Sequence, residues 1–142
     1  MTLFKSAALV SVFAISISMV GCDSSKELPA ELQRAIGTVM VEIDFGSEKR
    51  MKSIPVVCSP DSTVLMSLER AQNMKMLKFE SRGSGETAFV SAIDGVANEG
   101  SDGRNWIYRV NEKLGDKSAG IYAVGPGDTI SWSFGDKPDE LK

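Results

Sequence analysis

The chain has 142 residues, a quarter of them charged, with 16 basic and 19 acidic side chains and a net charge of −3. That mild acidity provides no basic stripe to neutralise phosphates, so nucleic acid is not an expected partner. There is no histidine, which removes the commonest general base, the commonest zinc ligand and the Ser-His-Asp and Cys-His arrangements together; no enzymatic activity, no metal and no cofactor is expected.

Lys5 precedes an apolar run from Ala7 to Val20, closing on Met19-Val20-Gly21-Cys22. A basic start, a short hydrophobic stretch and a small-residue cleavage point define a secretory signal over residues 1–21. As helix the run reaches only roughly 21 Å, short of a bilayer core, so a permanent span is not expected. The glycine before Cys22 resembles the lipobox of bacterial lipoproteins. In that family the cysteine thiol receives a diacylglycerol, the peptide is cut before it and the new amino terminus is acylated. The resemblance implies lipidation at Cys22 and a protein exported to the cell envelope, held on a membrane by its acyl chains. Residues 22–37 are polar, contain Pro29 and read as a tether. With Cys22 acylated, Cys58 has no partner for an internal disulfide and reads as a small buried hydrophobe.

The folded part begins near Thr38. Val39, Val41, Ile43 and Phe45 alternate with Met40, Glu42 and Asp44, the period of a half-buried strand. A turn at Gly46-Ser47-Glu48-Lys49 leads into a second strand, about Met51 to Val57, in which Pro55 implies a sheet edge. Pro60-Asp61-Ser62 starts a helix with Asp61 or Ser62 as cap, and Val64, Leu65, Leu68 and Ala71 share its inner face. Met74 and Met76 are expected to pack between helix and strand. Short strands follow at about Leu77–Phe79, Ala88–Ile93, Trp106–Val110, Gly120–Val124 and Thr129–Phe134, with Pro126-Gly127 at the centre of a type II turn. Gly83-Ser84-Gly85-Glu86-Thr87 carries neither a phosphate-loop lysine nor a helix start. The pattern is α+β: one helix packed on a mainly antiparallel sheet. Residues 136–142 form a charged tail.

Several segments, in order, resemble one known family: Gly85-Glu86-Thr87-Ala88-Phe89-Val90, Ile93-Asp94-Gly95-Val96-Ala97-Asn98, Asn105-Trp106-Ile107-Tyr108-Arg109-Val110-Asn111, Gly120-Ile121-Tyr122 and Pro126-Gly127-Asp128-Thr129-Ile130-Ser131-Trp132-Ser133-Phe134. The Val41-Glu42-Ile43 strand and the Ser62-Thr63-Val64-Leu65 helix start fit as well. The series is similar to the bacterial domain of unknown function that resembles the carboxy-terminal domain of transcobalamin and intrinsic factor, over residues 38–135. The resemblance implies a β-grasp-like domain and a cobalamin-like ligand, although these 142 residues leave no room for the helical barrel with which that domain closes over cobalamin. Glu112 replaces the glycine usual after the Val-Asn pair, so the turn before Lys113 is expected to be reshaped.

Trp106 and Tyr108 share a strand face and, with Tyr122 and Trp132 near, are candidates for a stacking platform; the favoured alternative is that they are simply the anchors of a small core. Asn98 and Asn105, from the loop 94–105, are the polar candidates beside them. The platform reading requires Trp106 or Tyr108 to be at least partly open next to Asn98 or Asn105. The same loop is rich in oxygen ligands, but its spacing departs from the EF-hand, and it reads as a polar turn. Glu86 with Asp94 or Glu99 is a candidate acid–base pair for glycoside chemistry, but a domain this small, with no cleft-forming insertion in its sequence, argues against it. The resulting expectation is a non-enzymatic, lipid-anchored module that binds a small ligand; the alternative is a structural or adhesive module pairing with an envelope protein through a sheet edge.

Overall fold

The structure, a computed structural model, describes residues 36–47 and 51–138. The expected signal at 1–21, the expected lipidation site Cys22, the expected tether up to residue 35, part of the first hairpin turn and the tail beyond residue 138 lie outside the described residues. Among the described residues no helix is long and apolar enough to cross a membrane.

Alternation builds the first hairpin as expected. In β1 (Gly37–Asp44) Val39, Val41 and Ile43 are sealed, and in β2 (Met51–Cys58) Ile54, Val56 and Cys58 point the same way. The two strands pair antiparallel, Gly37 opposite Cys58 and Asp44 opposite Met51. Cys58 is free and buried. β6 (Asn105–Val110) and β8 (Thr129–Gly135) repeat the pattern, with Trp106, Tyr108, Val110, Ile130, Trp132 and Phe134 all inward. Together with β7 (Lys113–Leu114) they form a five-stranded sheet in the order β2-β1-β8-β6-β7. Pro55 therefore sits on an edge strand, where its missing N–H leaves no ladder bond unmade. β1 and β8 run parallel at the centre and the other pairs antiparallel, which is the β-grasp arrangement expected from the sequence.

The one α-helix among the described residues, α1 (Val64–Asn73), covers the β1–β2 half of the inner face with Val64, Leu65, Leu68 and Ala71. Its cap is Thr63, whose hydroxyl accepts from Met66 N, rather than Asp61 or Ser62. Ser62 is instead buried. It accepts from Ser59 N at 2.7 Å and from Arg70 at 2.6 Å, while Arg70 also donates to Val57 O and Ser59 Oγ. This knot ties the end of β2 to the helix and leaves capping to the next residue. At the other end Lys75 N bonds Gln72 O and Met76 N bonds Ala71 O, a Schellman closure. The left-handed position falls on Lys75, φ 60°. That closure turns Met74 and Met76 outward, both about half exposed, and not into the helix–strand seam.

A second, three-stranded sheet covers the β6 half of the core: β3 (Phe79–Arg82), β4 (Phe89–Ile93) and β5 (Val96–Ala97), in that order. β3 starts two residues later than the sequence suggests, because Phe79 N is tied to Gln72 Oε1 and Lys78 N to Asp94 Oδ1. One 3-10 turn, Gly85–Thr87, occurs where no helix was expected, closed by Thr87 Oγ1 against Ser84. The expected strand 120–124 does not form; Ala123 makes only an isolated bridge with Thr63. Its neighbours bond elsewhere: Tyr122 O and Ala119 O accept Val64 N and Leu65 N, two of the helix-start donors that no helical carbonyl can reach.

The β6–β7 turn forms without the glycine. Asn111 and Glu112 both take positive φ, 49° and 70°, the combination of a type I′ turn. Asn111 bonds Asp128 and Thr129 across the sheet end, which fixes the turn from outside. At Gly125-Pro126-Gly127-Asp128 the type II turn is present, with Gly127 at φ 86° and Asp128 N on Gly125 O.

Candidate functional site

β6 and β8 bring the aromatic residues together as a stack along the inner face. Trp106 meets Phe134 and Phe45 at 5.3 and 5.4 Å between centroids, and Tyr108 meets Trp132 and Tyr122 at 5.3 and 5.7 Å. The core burial of these rings is nearly complete: Trp106 is 7% exposed, Tyr108 9% and Trp132 3%. The expected partial opening of Trp106 or Tyr108 is not what the fold produces. The small sheet lies over Trp106, whose Nε1 donates to Val96 O at 2.7 Å, and Tyr122 and the 115–119 segment close over Tyr108, whose hydroxyl donates to Lys117 O. Burial, then the neighbouring Tyr122 and Asp116, pushes the Tyr108 phenol up to about 12.

Asn98 and Asn105 are both half-buried and both engaged. Asn98 donates to Val90 O and accepts Trp106 N at 2.7 Å, stitching β4 to β6. Asn105 accepts Gly100 N and donates to Gly100 O and Gly103 O, folding its own loop. The loop is further braced by Arg104, which grips Glu99 at 2.8 Å and lies over the Phe134 ring. The Arg104 side-chain bond, followed by the Arg104 backbone N–H, holds the Glu99 carboxyl below its ordinary value. These bonds leave the two asparagine amides as struts, with little donor or acceptor capacity for a ligand.

The residue that sequence reasoning missed is Phe89, the first residue of β4, 56% exposed. It stands between two concavities. On one side lies a shallow groove of about 570 Å³ bounded by Arg82, Ser91, Asn98 and Asn105. On the other is a cleft of about 240 Å³, where edges of Trp106, Tyr108 and Trp132 reach the surface between Val90 and Ser118, with Lys117 at its margin. Phe89 thus joins four of the five predicted ligand residues; Tyr122 touches the site only through Tyr108. The alternation of β4, Val90 and Ala92 in and Phe89 and Ser91 out, was the available signal.

A larger groove, about 730 Å³, lies at the helix end between Lys52, Lys75, Met76 and Phe79. Its polar groups serve the fold. Lys52 Nζ bonds Met76 O and pairs with Asp94 at 2.6 Å, and Asp94 accepts Lys78 N. Among the described residues no group of three or more acidic or cysteine side chains is placed to hold a metal.

The fold is therefore a β-grasp-like α+β domain with an aromatic core that surfaces at one cleft. Residues 61–136, over half the chain, match the family described as Domain of unknown function (DUF4430), and the protein belongs to that family. Among solved structures it is similar to haptocorrin in complex with Cbi, with 19% identity and a TM-score of 0.57 over 72% of this chain and 26% of that one. The chain thus spans about a quarter of haptocorrin. It is also similar to a protein from Ruminococcus gnavus provisionally described as metal binding, with 15% identity and a TM-score of 0.53 over 72% of this chain and 99% of that one. At these identities the likeness is one of fold, and it supports the resemblance to the transcobalamin domain. No curated protein matches the sequence.

Proposed function

We propose that the protein is a non-enzymatic binding module, exported and anchored in the cell envelope by lipid at Cys22, which takes a small, cobalamin-like or other ligand at the surface around Phe89. The observation that carries this reading is the exposed Phe89 between a shallow groove and an aromatic-walled cleft, an apolar anchor flanked by concave surfaces of the kind ligands use. The haptocorrin likeness supports a ligand-binding role for the fold, and fold by itself does not assign one. The absence of histidine supports a role without turnover. Intrinsic tryptophan fluorescence of the mature chain, titrated with cobalamin, cobinamide and glycans, tests the binding: a saturable quench by one compound is expected, and silence with all of them counts against it. Fatty-acid labelling that disappears in Cys22→Ala tests the anchor.

A second reading, an adhesive module that engages an envelope protein, is favoured by the burial of Trp106 and Tyr108 and by β2, which is an edge strand among the described residues and exposes Met51 and Val57. Crosslinking at the membrane that recovers one partner, with no ligand quench, would select it.

A further inference from the structure

We infer that the groove at the carboxy-terminal end of α1 is a second ligand site, separate from the surface around Phe89, and that it takes a small amphipathic anion: an apolar body carrying one carboxylate or phosphate group. The groove offers about 730 Å³, within the roughly 300–1,000 Å³ usual for small-molecule sites. It shares only Glu80 with the groove beside Phe89. Its apolar surface comes from Met76, which is about half exposed, the buried Leu77 and the partly buried Phe79. An unbranched thioether adapts to varied apolar shapes, so Met76 suits a ligand body that need not be flat.

Charge selects the head group. Three polar side chains of the lining are spent on the fold: Lys52 donates to Met76 O and pairs with Asp94, Gln72 accepts Phe79 N, and Asp94 also accepts Lys78 N. The ammoniums of Lys75 and Lys78 are exposed and meet no hydrogen-bond or ion-pair partner among the described residues. Against them stands one unspent carboxylate, that of Glu80, exposed at the rim shared with the other groove. Two free ammoniums to one carboxylate leave the lining cationic, and the ligand must bring the anion. Lys75 also sits at φ 60°, a conformation that glycine adopts freely and lysine does not. A cation near the last carbonyls favours the helix dipole, but the dipole does not require it at the left-handed position. A lysine held there against its backbone preference is placed for its ammonium.

The test uses the purified protein in detergent-free buffer, with its methionine methyls labelled with ¹³C. Met76→Leu assigns the Met76 signal, and Met40, on the outer side of β1, supplies a reference that stays in place. Octanoate and octyl phosphate, both kept below micelle-forming concentrations, are expected to move the Met76 signal saturably, and 1-octanol and octylammonium to bind more weakly. Lys75→Asn and Lys78→Gln should each weaken octanoate about threefold, the size of one exposed ion pair, and the double variant about tenfold. Asparagine tolerates the left-handed conformation, so the loss in Lys75→Asn reports the charge. Phe89→Ser should bind octanoate as tightly as the unaltered protein; a loss there would merge the two sites and overturn their separation. Equal affinity for octanoate and octanol, or an unchanged octanoate affinity in the double variant, overturns the anion preference. A Met76 signal unmoved by every dissolved probe overturns the site, and does so even where the protein sediments with anionic phospholipid vesicles. None of these results bears on a cobinamide quench at Phe89, so failure at either site leaves the other standing.

Discussion

Gly115→Ala should be among the most disruptive single-methyl changes in the protein. A Cβ on Gly115 would lie 2.1, 2.3 and 2.6 Å from three carbons of the Tyr108 ring, against a contact optimum of about 3.5–4.0 Å. The ring has little freedom to yield. Trp132 and Tyr122 hold two of its sides, and its hydroxyl is tied to Lys117 O. Gly115 also donates to Tyr108 O, so turn and ring are pinned at both ends. Overpacking costs about 1–3 kcal/mol, and displacing the phenol breaks a bond worth about 1 kcal/mol more, so a loss of about 3 kcal/mol is expected. Urea unfolding of the purified protein measures it. A double-mutant cycle isolates the cause: in a Tyr108→Ala background, itself severely destabilised, Gly115→Ala should cost under about 0.5 kcal/mol, a coupling of about 2–3 kcal/mol. Equal costs in the two backgrounds would show that the glycine is needed for its backbone and would refute the steric argument.

Three further outcomes follow from the same geometry. Spectrophotometric titration of the two phenols should show Tyr108 ionising near 12; because its folded pKa lies above the unfolded value near 10, its contribution is complete below about pH 10 and is lost as pH rises through 12, a fall on the order of 2 kcal/mol that Tyr108→Phe should abolish. Glu112→Gly and Lys75→Gly each place the residue that favours positive φ where the chain already adopts it, φ 70° and 60°, and each should raise the urea midpoint by about 0.5–1 kcal/mol of stability. Phe89→Ser removes an exposed side chain and should leave stability within about 0.5 kcal/mol, while any cobinamide response is lost; retained binding would move the site away from β4.

The sheet was legible because its information is local. Alternation in β1, β6 and β8 names the inward residues without knowledge of their partners, and Pro55 announces an edge on its own. Segment 120–124 was misread for the opposite reason. Its apolar pattern suits a strand, but its Tyr122 carbonyl and Val124 N–H are taken by Val64 and Ser62 at the start of α1, some sixty residues earlier in the chain, a demand no window on the segment reveals. The site divides in the same way. That Trp106 and Tyr108 share a face could be read; that Val96, Lys117 and Tyr122 would close over them could not. Asn98 and Asn105 were correctly placed next to the aromatics, yet their amides hold backbone together. Phe89 was within reach, since the alternation of β4 puts Val90 and Ala92 inside and Phe89 outside.

The parallel pairing of β1 with β8 makes the last strand of the chain the middle of its main sheet. A polypeptide ending before Thr129 would keep the first hairpin and α1 but have no plank between β1 and β6, and the apolar sides of both would face water. Closing so distant a pairing is slow, because a long loop must be gathered before any contact rewards it. During synthesis the domain therefore waits, half assembled, for its final seven-residue strand, and loss of that strand should abolish folding outright instead of eroding it by degrees.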